Sequence, residues 1–536
     1  MNIMSGYIKS IHIEGFKKFK NFDMEFNSKM NILVGENEAG KSTILDAIRL
    51  VLNQDYRNAD RSVLEDLFNA SMIKKFRENP SLENMPRIYI EVILDIDTQS
   101  ENSQFYSGEH NRKEEIESGI SFTCEFDKEL WENELDWRQI TEVPYEFYKL
   151  KWMTFSGQTY NPYKRAIHFL SLDTSQQDKF HSFNYYNKTV FSNAFDATQK
   201  LHIKNKFRSK MANALSDESM KLGGGNHREL GIDSKKVILE NIISILQDGV
   251  SLENHGSGME SLIKTEIALE KSTKMDVIML EEPENHLSFP NLLKMIDMIV
   301  NKREDAQIIV ATHSSMIASR LSLSNVSWIT EDKAVRLENI HKDDADFFYK
   351  LANNNLLQLL LAKKVILVEG VTEYLLVPAF YEKITGVSVN QSECIIIPCN
   401  GVSYMRYINI AKSAGKKVAV LTDNDQKKAK VEECQNFNNK NPQQRIFTDP
   451  DTNNWTWEVC LYNQNRTECK KLISDLNSKS RLNFAEESPD SIFIEYMTDK
   501  RHKAEIAFQI LRRKLIEDNK LKAPGYVKEA IEWLEK

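Results

Sequence analysis

Short apolar runs of strand length alternate with amphipathic segments along most of the chain. Before residue 100, these runs predict two strands and a turn within 7–34 and one strand at 87–97. Between them, a helix is predicted from Ser42 to about Leu52 because apolar residues recur there every three to four positions. The stretch from 98 to 172 is rich in aromatic and turn-forming residues, and its elements cannot be ordered from the pattern.

Strand-like runs return in the second half of the chain and alternate with helical stretches. They lie at 276–282, 306–313, 365–370, 395–399 and 418–423. One predicted helix starts near Pro290, and another covers 351–363. Strand–helix alternation is typical of parallel sheets with crossover helices, so the fold class is predicted to be α/β with two separate units.

Composition and charge narrow the class of protein. The chain has 536 residues, 41% of them hydrophobic and 28% charged, which is typical of a soluble globular protein of two to four domains. No apolar run approaches the roughly 20 residues of a membrane span, and the first residues lack the apolar region of a signal peptide. The six cysteines form no C-x-x-C pair, which favours a reducing, cytoplasmic location without structural zinc.

The formal charge of −8 does not by itself indicate a nucleic-acid partner. Residues 360–536 carry 27 lysines and arginines against 24 acids, a local charge of +3, so the rest of the chain carries −11. A mildly basic C-terminal part permits contact with a phosphate backbone, although an ordinary solvated surface explains the same charge.

Residues 35–42 match the phosphate-binding loop G-x-x-x-x-G-K-[ST], between a predicted strand and a predicted helix. In this motif the glycines let backbone amides surround the phosphates, the lysine reaches the terminal phosphates and the serine hydroxyl binds Mg²⁺. The predicted nucleotide-binding residues are Gly35, Asn37, Gly40, Lys41, Ser42 and Thr43.

Three further elements follow in an order that suits ATP chemistry. The strand at 276–282 ends in Glu281 and Glu282, of which the first can hold the Mg²⁺ water shell and the second can polarise the attacking water. The next strand ends in His313, placed to contact the γ-phosphate. Upstream, Gly256, Ser257 and Gly258 precede a helix and offer amides to an anion.

Together these elements resemble the Walker A, signature, Walker B, D-loop and H-loop of ABC-type ATPases, and in particular the branch of the SMC (structural maintenance of chromosomes) proteins, whose N-terminus reads like residues 11–22. Two positions depart from the pattern, because Glu281 and Ser288 stand where aspartates are usual. The resemblance implies ATP binding, and slow hydrolysis is compatible with both replacements.

Carboxylates follow the strands of the second predicted unit. Glu369 ends the strand at 365–370, Glu373 lies at the start of the next helix, and Asp423 and Asp425 follow the strand at 418–423. Acids at the carboxyl ends of parallel strands face the crevice where ligands bind. Several acids there would repel one another unless they bind divalent cations, and oxygen ligands select Mg²⁺ or Mn²⁺.

The strand–E–G and D-x-D pattern resembles Toprim domains, and an ATPase followed by Toprim resembles the OLD (overcoming lysogenization defect) family of nucleases. The resemblance covers nearly the full chain. Within it, Thr456-Trp457-Glu458 is similar to the family segment that supplies a further metal-binding carboxylate, and Lys503 to its catalytic lysine. The implied metal ligands are Glu369, Glu373, Asp423, Asp425 and Glu458, with Ser42 in the ATP site.

These segments predict a domain order. The ATPase domain comprises 1–172 and 236–350, interrupted by a polar, mainly helical insertion at 173–235 that we expect to dimerise. The Toprim nuclease domain covers 351–536.

The resemblance implies an ATP-regulated, divalent-metal-dependent DNA endonuclease that forms a homodimer or higher oligomer. It also suggests antiphage defence, with a co-encoded partner. The alternative is an SMC-like, ATP-driven DNA-binding protein without nuclease activity. Cleavage of the topoisomerase kind would need a nucleophilic tyrosine and a gate domain, and no separate domain for them is evident. The DNA preference, the RNA tolerance, the trigger and the direction of the ATP effect stay open.

Overall fold

The structure is a computed structural model, and it describes most of the chain outside the polar middle segment. The described residues are 6–57, 60–97, 103–130, 140, 142–161, 165–173, 190–191, 195, 197–213, 238–239, 242–269, 275–301, 305–321, 325–330, 332–336, 343–344, 355–401, 403–477, 484 and 487–536.

The chain forms two compact units. The first comprises Met1–Ile317 and Asn325–Val335, and the second comprises Ala318–Ser324 and Arg336–Lys536. The division along the chain falls near residue 336, while the hydrophobic pattern predicts it near 350. Residues 345–354 lie outside the described part of the chain.

Strands and helices of the first unit begin with the elements that carry the phosphate-binding loop. The strands are β1 (Gly6–Phe16), β2 (Phe19–Glu25), β3 (Met30–Val34), β4 (Ile88–Ile96), β5 (Ser107–Gly108), β6 (Glu117–Phe126), β7 (Tyr148–Thr154), β8 (Phe169–Asp173), β9 (Leu246–Gln247), β10 (Val250–Ser251), β11 (Val277–Glu281), β12 (Gln307–Ala311), β13 (Val326–Ile329) and β14 (Ala334–Arg336). The α-helices are α1 (Lys41–Asn53), α2 (Ala70–Glu78), α3 (Ser103–Tyr106), α4 (Ala197–Asn213), α5 (Ser257–Leu269), α6 (Phe289–Asn301) and α7 (Ser315–Arg320).

Two sheets of the first unit enclose helix α1. One sheet has the order β2-β1-β4-β6-β5, with β7 also paired to β6, and its strands pair antiparallel. The other has the order β14-β13-β3-β12-β11-β8, and β13, β3, β12, β11 and β8 run parallel. Helix α1 buries an apolar face against strands β1, β4 and β6. This packing fixes the helix that follows the phosphate-binding loop.

The sequence prediction for residues 7–34 was wrong in one respect, because the segment contains three strands. The additional strand, β2, alternates buried and exposed positions and pairs antiparallel with β1. Of the predicted insertion at 173–235, the structure describes α4 and a few isolated residues, and the other positions, including the three glycines at 223–225, lie outside the described residues.

The second unit contains a four-stranded parallel sheet with the order β16-β15-β17-β18. Its strands are β15 (Lys364–Val368), β16 (Cys394–Pro398), β17 (Lys417–Leu421) and β18 (Gln444–Phe447). Its α-helices are α8 (Asn355–Leu361), α9 (Val371–Thr385), α10 (Tyr404–Ser413), α11 (Lys428–Lys440), α12 (Trp457–Gln464), α13 (Arg466–Leu476), α14 (Asp490–Thr498), α15 (Lys503–Arg512) and α16 (Gly525–Glu535). Helix α9 packs on α15 and α16, and the sheet strands are buried on both faces. The α/β prediction is confirmed.

Short 3-10 helices connect several of these elements. They are Arg61–Leu67, Leu82–Asn84, Lys128–Leu130, Tyr145–Phe147, Leu252–Asn254 and Val389–Gln391. Across the described residues, no helix combines the length and apolar character that crossing a membrane requires.

Candidate ATP site and candidate nuclease pocket

The phosphate-binding loop joins strand β3 to helix α1 through a turn that requires glycine at its last position. Gly40 has φ +101°, and a Cβ atom there would lie 2.3 Å from the ring of Phe19. Any larger residue would therefore clash with a buried aromatic ring as well as strain the backbone. The local geometry thus explains the glycine that the sequence motif has at this position.

Lys41 lies buried under this loop at the start of α1. Its Nζ donates hydrogen bonds to the carbonyl oxygens of Gly35 at 3.0 Å and Glu36 at 2.9 Å. Burial lowers the pKa of Lys41 to about 8, and the nearby Glu282, Glu284 and Glu281 oppose that shift. The negative charge of a bound phosphate would stabilise the ammonium form of Lys41, which burial disfavours.

Strand β11 ends in Glu281, which lies beside Ser42 of the phosphate-binding loop. Glu281 pairs in register with Ala311 of β12, so the carboxyl ends of these strands meet at one edge of the sheet. Burial raises the pKa of Glu281 to about 7, and a hydrogen bond with Ser42 opposes the shift. Ser42 and Glu281, predicted to flank the ATP-bound Mg²⁺, are therefore in direct contact. Asn37 lies exposed in the loop, and Thr43 is buried in the first turn of α1.

Glu282 and His313 face each other at the ends of β11 and β12. The distance between Glu282 Oε1 and His313 Nε2 is 3.5 Å, and Asn285 Nδ2 donates to Glu282 Oε2 at 2.7 Å. Burial and the nearby Lys41 lower the pKa of His313, whereas Glu282 opposes that shift. A histidine and a glutamate that face each other at neighbouring strand ends suit a pair that orients and deprotonates a water molecule.

Glu284 was missed by the sequence analysis and links the segments that follow β11 and β12. Its Oε1 accepts hydrogen bonds from Thr312 Oγ1 at 2.6 Å, His313 N at 3.0 Å and Ser314 N at 2.9 Å. Glu284 is thereby positioned to fix the backbone that carries His313. The signal available in the sequence was a third carboxylate directly after Glu281-Glu282-Pro283.

The predicted signature residues occupy the start of helix α5. Ser257 begins the helix, and Gly256 has open space where a side chain would stand. Gly258 is tightly packed, because a Cβ atom there would lie 2.2 Å from the carbonyl oxygen of His286. The signature turn therefore contacts the segment after Glu284 and keeps one face free.

A charge-neutral replacement of Glu282 tests its role in hydrolysis. We expect Glu282→Gln to bind ATP normally and to hydrolyse it about 100-fold more slowly, because the amide cannot accept a proton from water. Steady-state phosphate release, with ATP binding measured in parallel, checks this. Glu78→Gln, which changes an exposed carboxylate on α2, is the matched control. Unchanged turnover in Glu282→Gln would remove this glutamate from the mechanism.

In the second unit, a cavity of about 330 Å³ opens at the carboxyl ends of β15 and β17. Val368 pairs in register with Leu421, so Glu369 and Asp423 leave neighbouring strands at the same edge. Four carboxylates line the cavity together with two cations: Glu369, Glu373, Asp423, Glu458, Lys500 and Lys503. The structure thus brings together five of the six predicted residues of this unit, and Lys500 is an addition that the sequence analysis missed.

The carboxylates of the cavity are held by specific local contacts. Thr422 Oγ1 donates to Glu369 Oε1, and the backbone amide of Trp457 donates to Asp423 Oδ1 at 2.8 Å. Glu373, in the first turn of α9, lies over Gly370, where a Cβ atom would stand 3.1 Å from its Oε2. Hydrogen bonds therefore hold Glu369 and Asp423, and Gly370 leaves room for Glu373.

Burial and mutual repulsion disfavour ionisation of these acids. The pKa of Asp423 is raised to about 8, mainly by burial and then by the neighbouring Glu369, Glu373 and Glu458. The pKa of Glu373 is likewise raised to about 7, mainly by burial, with Glu458 and Glu369 contributing to the same shift. A cation in the cavity would relieve both effects.

Glu458 and Lys503 form an ion pair at the wall of the cavity. Lys503 Nζ lies 2.9 Å from Glu458 Oε1, and Thr372 Oγ1 donates to the same oxygen at 3.2 Å. The other oxygen, Glu458 Oε2, is buried without a hydrogen-bond partner among the described residues. A buried oxygen without a hydrogen-bond partner destabilises the fold unless a ligand binds to it.

Asp425 lies outside the cavity. Its backbone turns away with φ +51°, and its exposed carboxylate accepts a hydrogen bond from Lys430 at 3.0 Å. Between the two aspartates, the buried Asn424 donates to the carbonyl oxygens of Asp449, Asp451 and Asn454. Asn424, missed by the sequence analysis, therefore fixes the loop that leads to Glu458.

The donor set fits a hard divalent cation in its chemistry. The cavity offers carboxylate oxygens of raised pKa and one unpartnered buried oxygen. Over the part of the chain that the structure describes, however, no three His, Cys, Asp or Glu side chains are already close enough to hold one ion.

Comparison with known families identifies both units. The model of the AAA ATPase domain matches residues 7–318, and the chain belongs to that family. The model described as the Toprim domain of overcoming-lysogenization-defect-like proteins matches residues 360–425. The protein is thus an ATPase domain fused to an OLD-like Toprim domain, which confirms the resemblance seen in the sequence.

Relatives match parts of the chain. The Old nuclease of Escherichia phage P2 is 27% identical over 163 residues, which is 28% of this chain and 28% of that protein. The structural maintenance of chromosomes protein 3 of Saccharomyces cerevisiae is 38% identical over 65 residues, 12% of this chain and 5% of that protein. The chain therefore spans a little over a quarter of the Old nuclease and far less of the other.

Two solved structures align over most of their own length. An Smc head bound to the C-terminal winged-helix domain of ScpA shows a TM-score of 0.34 at 14% identity, covering 62% of this chain and 99% of that one. The recombination mediator RecF with an ATP analogue shows a TM-score of 0.32 at 14% identity, covering 63% and 99%.

Proposed function

We propose that this protein is a divalent-metal-dependent endonuclease that cleaves DNA in its Toprim cavity and is regulated by ATP. The observation that carries the proposal is the convergence of Glu369, Glu373, Asp423 and Glu458 with Lys503 in one cavity. Four buried or half-buried acids in one place repel one another when ionised, and a divalent cation would relieve that repulsion. The match to OLD-like Toprim domains and the partial match to the Old nuclease support the same reading.

The proposed roles follow from the contacts of each side chain. Glu369, Glu373, Asp423 and Glu458 would hold Mg²⁺ or Mn²⁺, which supplies an activated water and neutralises charge on the phosphodiester. Lys503, now paired with Glu458, would donate to a phosphate oxygen as negative charge develops there. Lys500, at the same wall, would bind the phosphate backbone of the DNA strand through its positive charge. Asp425 stays a predicted ligand whose present partner is Lys430.

The acidic lining of the cavity argues against the alternative function, which is ATP-driven DNA binding without cleavage. A purely structural role would be expected to pair these acids with cations of the protein, as Lys430 pairs with Asp425 outside it. Inside, the one close ion pair among the described residues is Lys503 with Glu458. A plasmid-nicking assay with and without divalent metal distinguishes the two functions.

Assembly as a homodimer or higher oligomer is part of the proposal. In ABC-type ATPases the signature of one subunit completes the ATP site of another, and Gly256 has the open face that such a contact needs. We expect light scattering at micromolar concentration to give at least twice the monomer mass when ATP is present. A monomer mass with and without ATP would contradict this assembly.

We also propose a cytoplasmic role in antiphage defence, beside a co-encoded partner, on the strength of the family resemblance. The proposal requires that phages plate less efficiently on cells that express the wild type than on cells that express Asp423→Asn. Equal plating efficiency on both would contradict it.

A further inference from the structure

A second cavity, of about 540 Å³, lies in the first unit at the end of helix α1 remote from the phosphate-binding loop. Helix α1 has 13 residues, so its two ends are about 20 Å apart. The cavity is lined by strand β7, by Gln54, which is the C-cap residue of α1, and by the 3-10 helix that starts at Arg61. It is therefore separate from the ATP site and from the Toprim cavity.

The walls of this cavity are tied together by hydrogen bonds. Trp152 Nε1 donates to Leu50 O at 3.0 Å, and Tyr160 OH donates to Leu52 O at 2.9 Å. Gln54, whose φ of 56° ends the helix, donates from Nε2 to Tyr160 O at 2.7 Å. The carbonyl oxygens of Leu50 and Leu52 thus have donors of their own, which reduces their repulsion of a bound anion.

Three cations line the cavity, and none of the described residues that line it is a carboxylate. They are Arg57, Arg61 and Lys151. Arg57 Nη1 donates to a neutral acceptor, Gln54 Oε1, at 2.8 Å. Arg61 Nη1 is buried and has no hydrogen-bond partner among the residues that the structure describes. A buried guanidinium nitrogen without an acceptor is costly, so an anionic oxygen that reached Arg61 would stabilise this wall of the cavity.

The chemistry of the lining selects a phosphorylated ligand. Guanidinium groups bind phosphate through paired hydrogen bonds, and three cations suit a dianion better than a single carboxylate. Leu150 and Met153 give the same cavity an apolar side. Its volume falls within the range of about 300–1,000 Å³ that is typical of small-ligand sites.

We propose that this cavity is a second anion site, which binds a phosphate ester between Arg57, Arg61 and Lys151 with its organic part against Leu150 and Met153. The ligand is either a free nucleotide, which carries a phosphomonoester dianion, or one nucleotide unit of a DNA strand, which carries a singly charged phosphodiester, because both present a phosphate ester and a flat base. The site is independent of the proposed nuclease chemistry in the other unit.

The test uses the full chain with Lys41→Ala, so that nucleotide binding at the phosphate-binding loop does not contribute. Adenosine monophosphate and a short single-stranded oligonucleotide are titrated separately at low salt, with binding followed by calorimetry. We expect Arg61→Gln and Arg57→Gln each to weaken binding by about ten-fold. Arg61→Lys, which keeps the charge and loses the paired donors, should have an intermediate effect. Arg87→Gln, which removes a half-exposed arginine of the same unit, is the control.

The pattern of loss identifies the source of the phosphate. Weakened binding of the mononucleotide supports a free ligand, and weakened binding of the oligonucleotide alone supports a DNA strand. The proposal is overturned if both probes bind Arg57→Gln and Arg61→Gln within about two-fold of the parent, or if Arg87→Gln has the same effect as they do. Thermal unfolding of each variant shows that the fold is intact. Nuclease activity is not part of the readout, so failure here is distinct from failure of the proposed function.

Discussion

Asp423→Asn is expected to abolish DNA cleavage, with a loss of about 100-fold or more. The substitution keeps the side-chain size and an oxygen that can accept the hydrogen bond from Trp457 N. It removes the negative charge at the point where β17 ends and where Glu369, Glu373 and Glu458 surround Asp423. A neutral ligand there would lower the affinity of the cavity for a divalent cation.

The measurement is plasmid nicking at saturating metal, with ATP binding measured on the same preparation. ATP binding should be unchanged, because the phosphate-binding loop belongs to the other unit. Asp518→Asn, which alters a half-exposed acid of the second unit, should cleave like the wild type. Nicking by Asp423→Asn at more than about a tenth of the wild-type rate would exclude Asp423 from the active site.

Lys41→Ala should reduce ATP affinity by about 100-fold or more, since the lysine is the main cation on the terminal phosphates. The buried ammonium group already points at the loop, where the carbonyl oxygens of Gly35 and Glu36 hold it. Lys74→Ala, which removes an exposed lysine from α2, should bind ATP like the wild type. Calorimetry with a non-hydrolysable analogue checks both variants.

The same variant tests regulation by ATP. Cleavage is measured with ATP, ADP and the analogue at fixed free Mg²⁺, because ATP chelates the metal and would imitate inhibition. We expect nucleotide to change the cleavage rate of the wild type and to leave that of Lys41→Ala unchanged, since only differential binding to two states can couple the sites. Identical rates for both proteins at every nucleotide concentration would contradict regulation through the ATP site.

The regular parts of the fold were predictable because their patterns are local. The buried parallel strands β11, β12, β15 and β17 are continuous apolar runs, and α1 has a helical apolar face. The strands between residues 98 and 172 could not be ordered, because their pairings are long-range. Strand β6 pairs with both β4 and β7, and no local pattern specifies these partners.

The candidate sites were predictable where a strand end fixes the direction of a side chain. Glu369 and Asp423 follow neighbouring strands and meet in the cavity as expected from the order of the motifs. The position of Asp425 depends on the backbone angle of +51° that turns it toward Lys430, and the pattern D-x-D does not reveal that angle. Glu284 and Asn424 act through hydrogen bonds to backbone groups far along the chain, which no spacing rule predicts.

The most direct test of metal-dependent cleavage in the Toprim cavity is a nicking assay in which free Mg²⁺ or Mn²⁺ is the only variable. A supercoiled plasmid is incubated with wild type, Asp423→Asn and Asp518→Asn, first with chelator and then with metal added back. Wild type and Asp518→Asn should show no cleavage in chelator and should cleave when metal is added back, whereas Asp423→Asn should not cleave under either condition. Nicking that persists in chelator, or that Asp423→Asn performs as well as wild type, would contradict metal-dependent cleavage in the Toprim cavity.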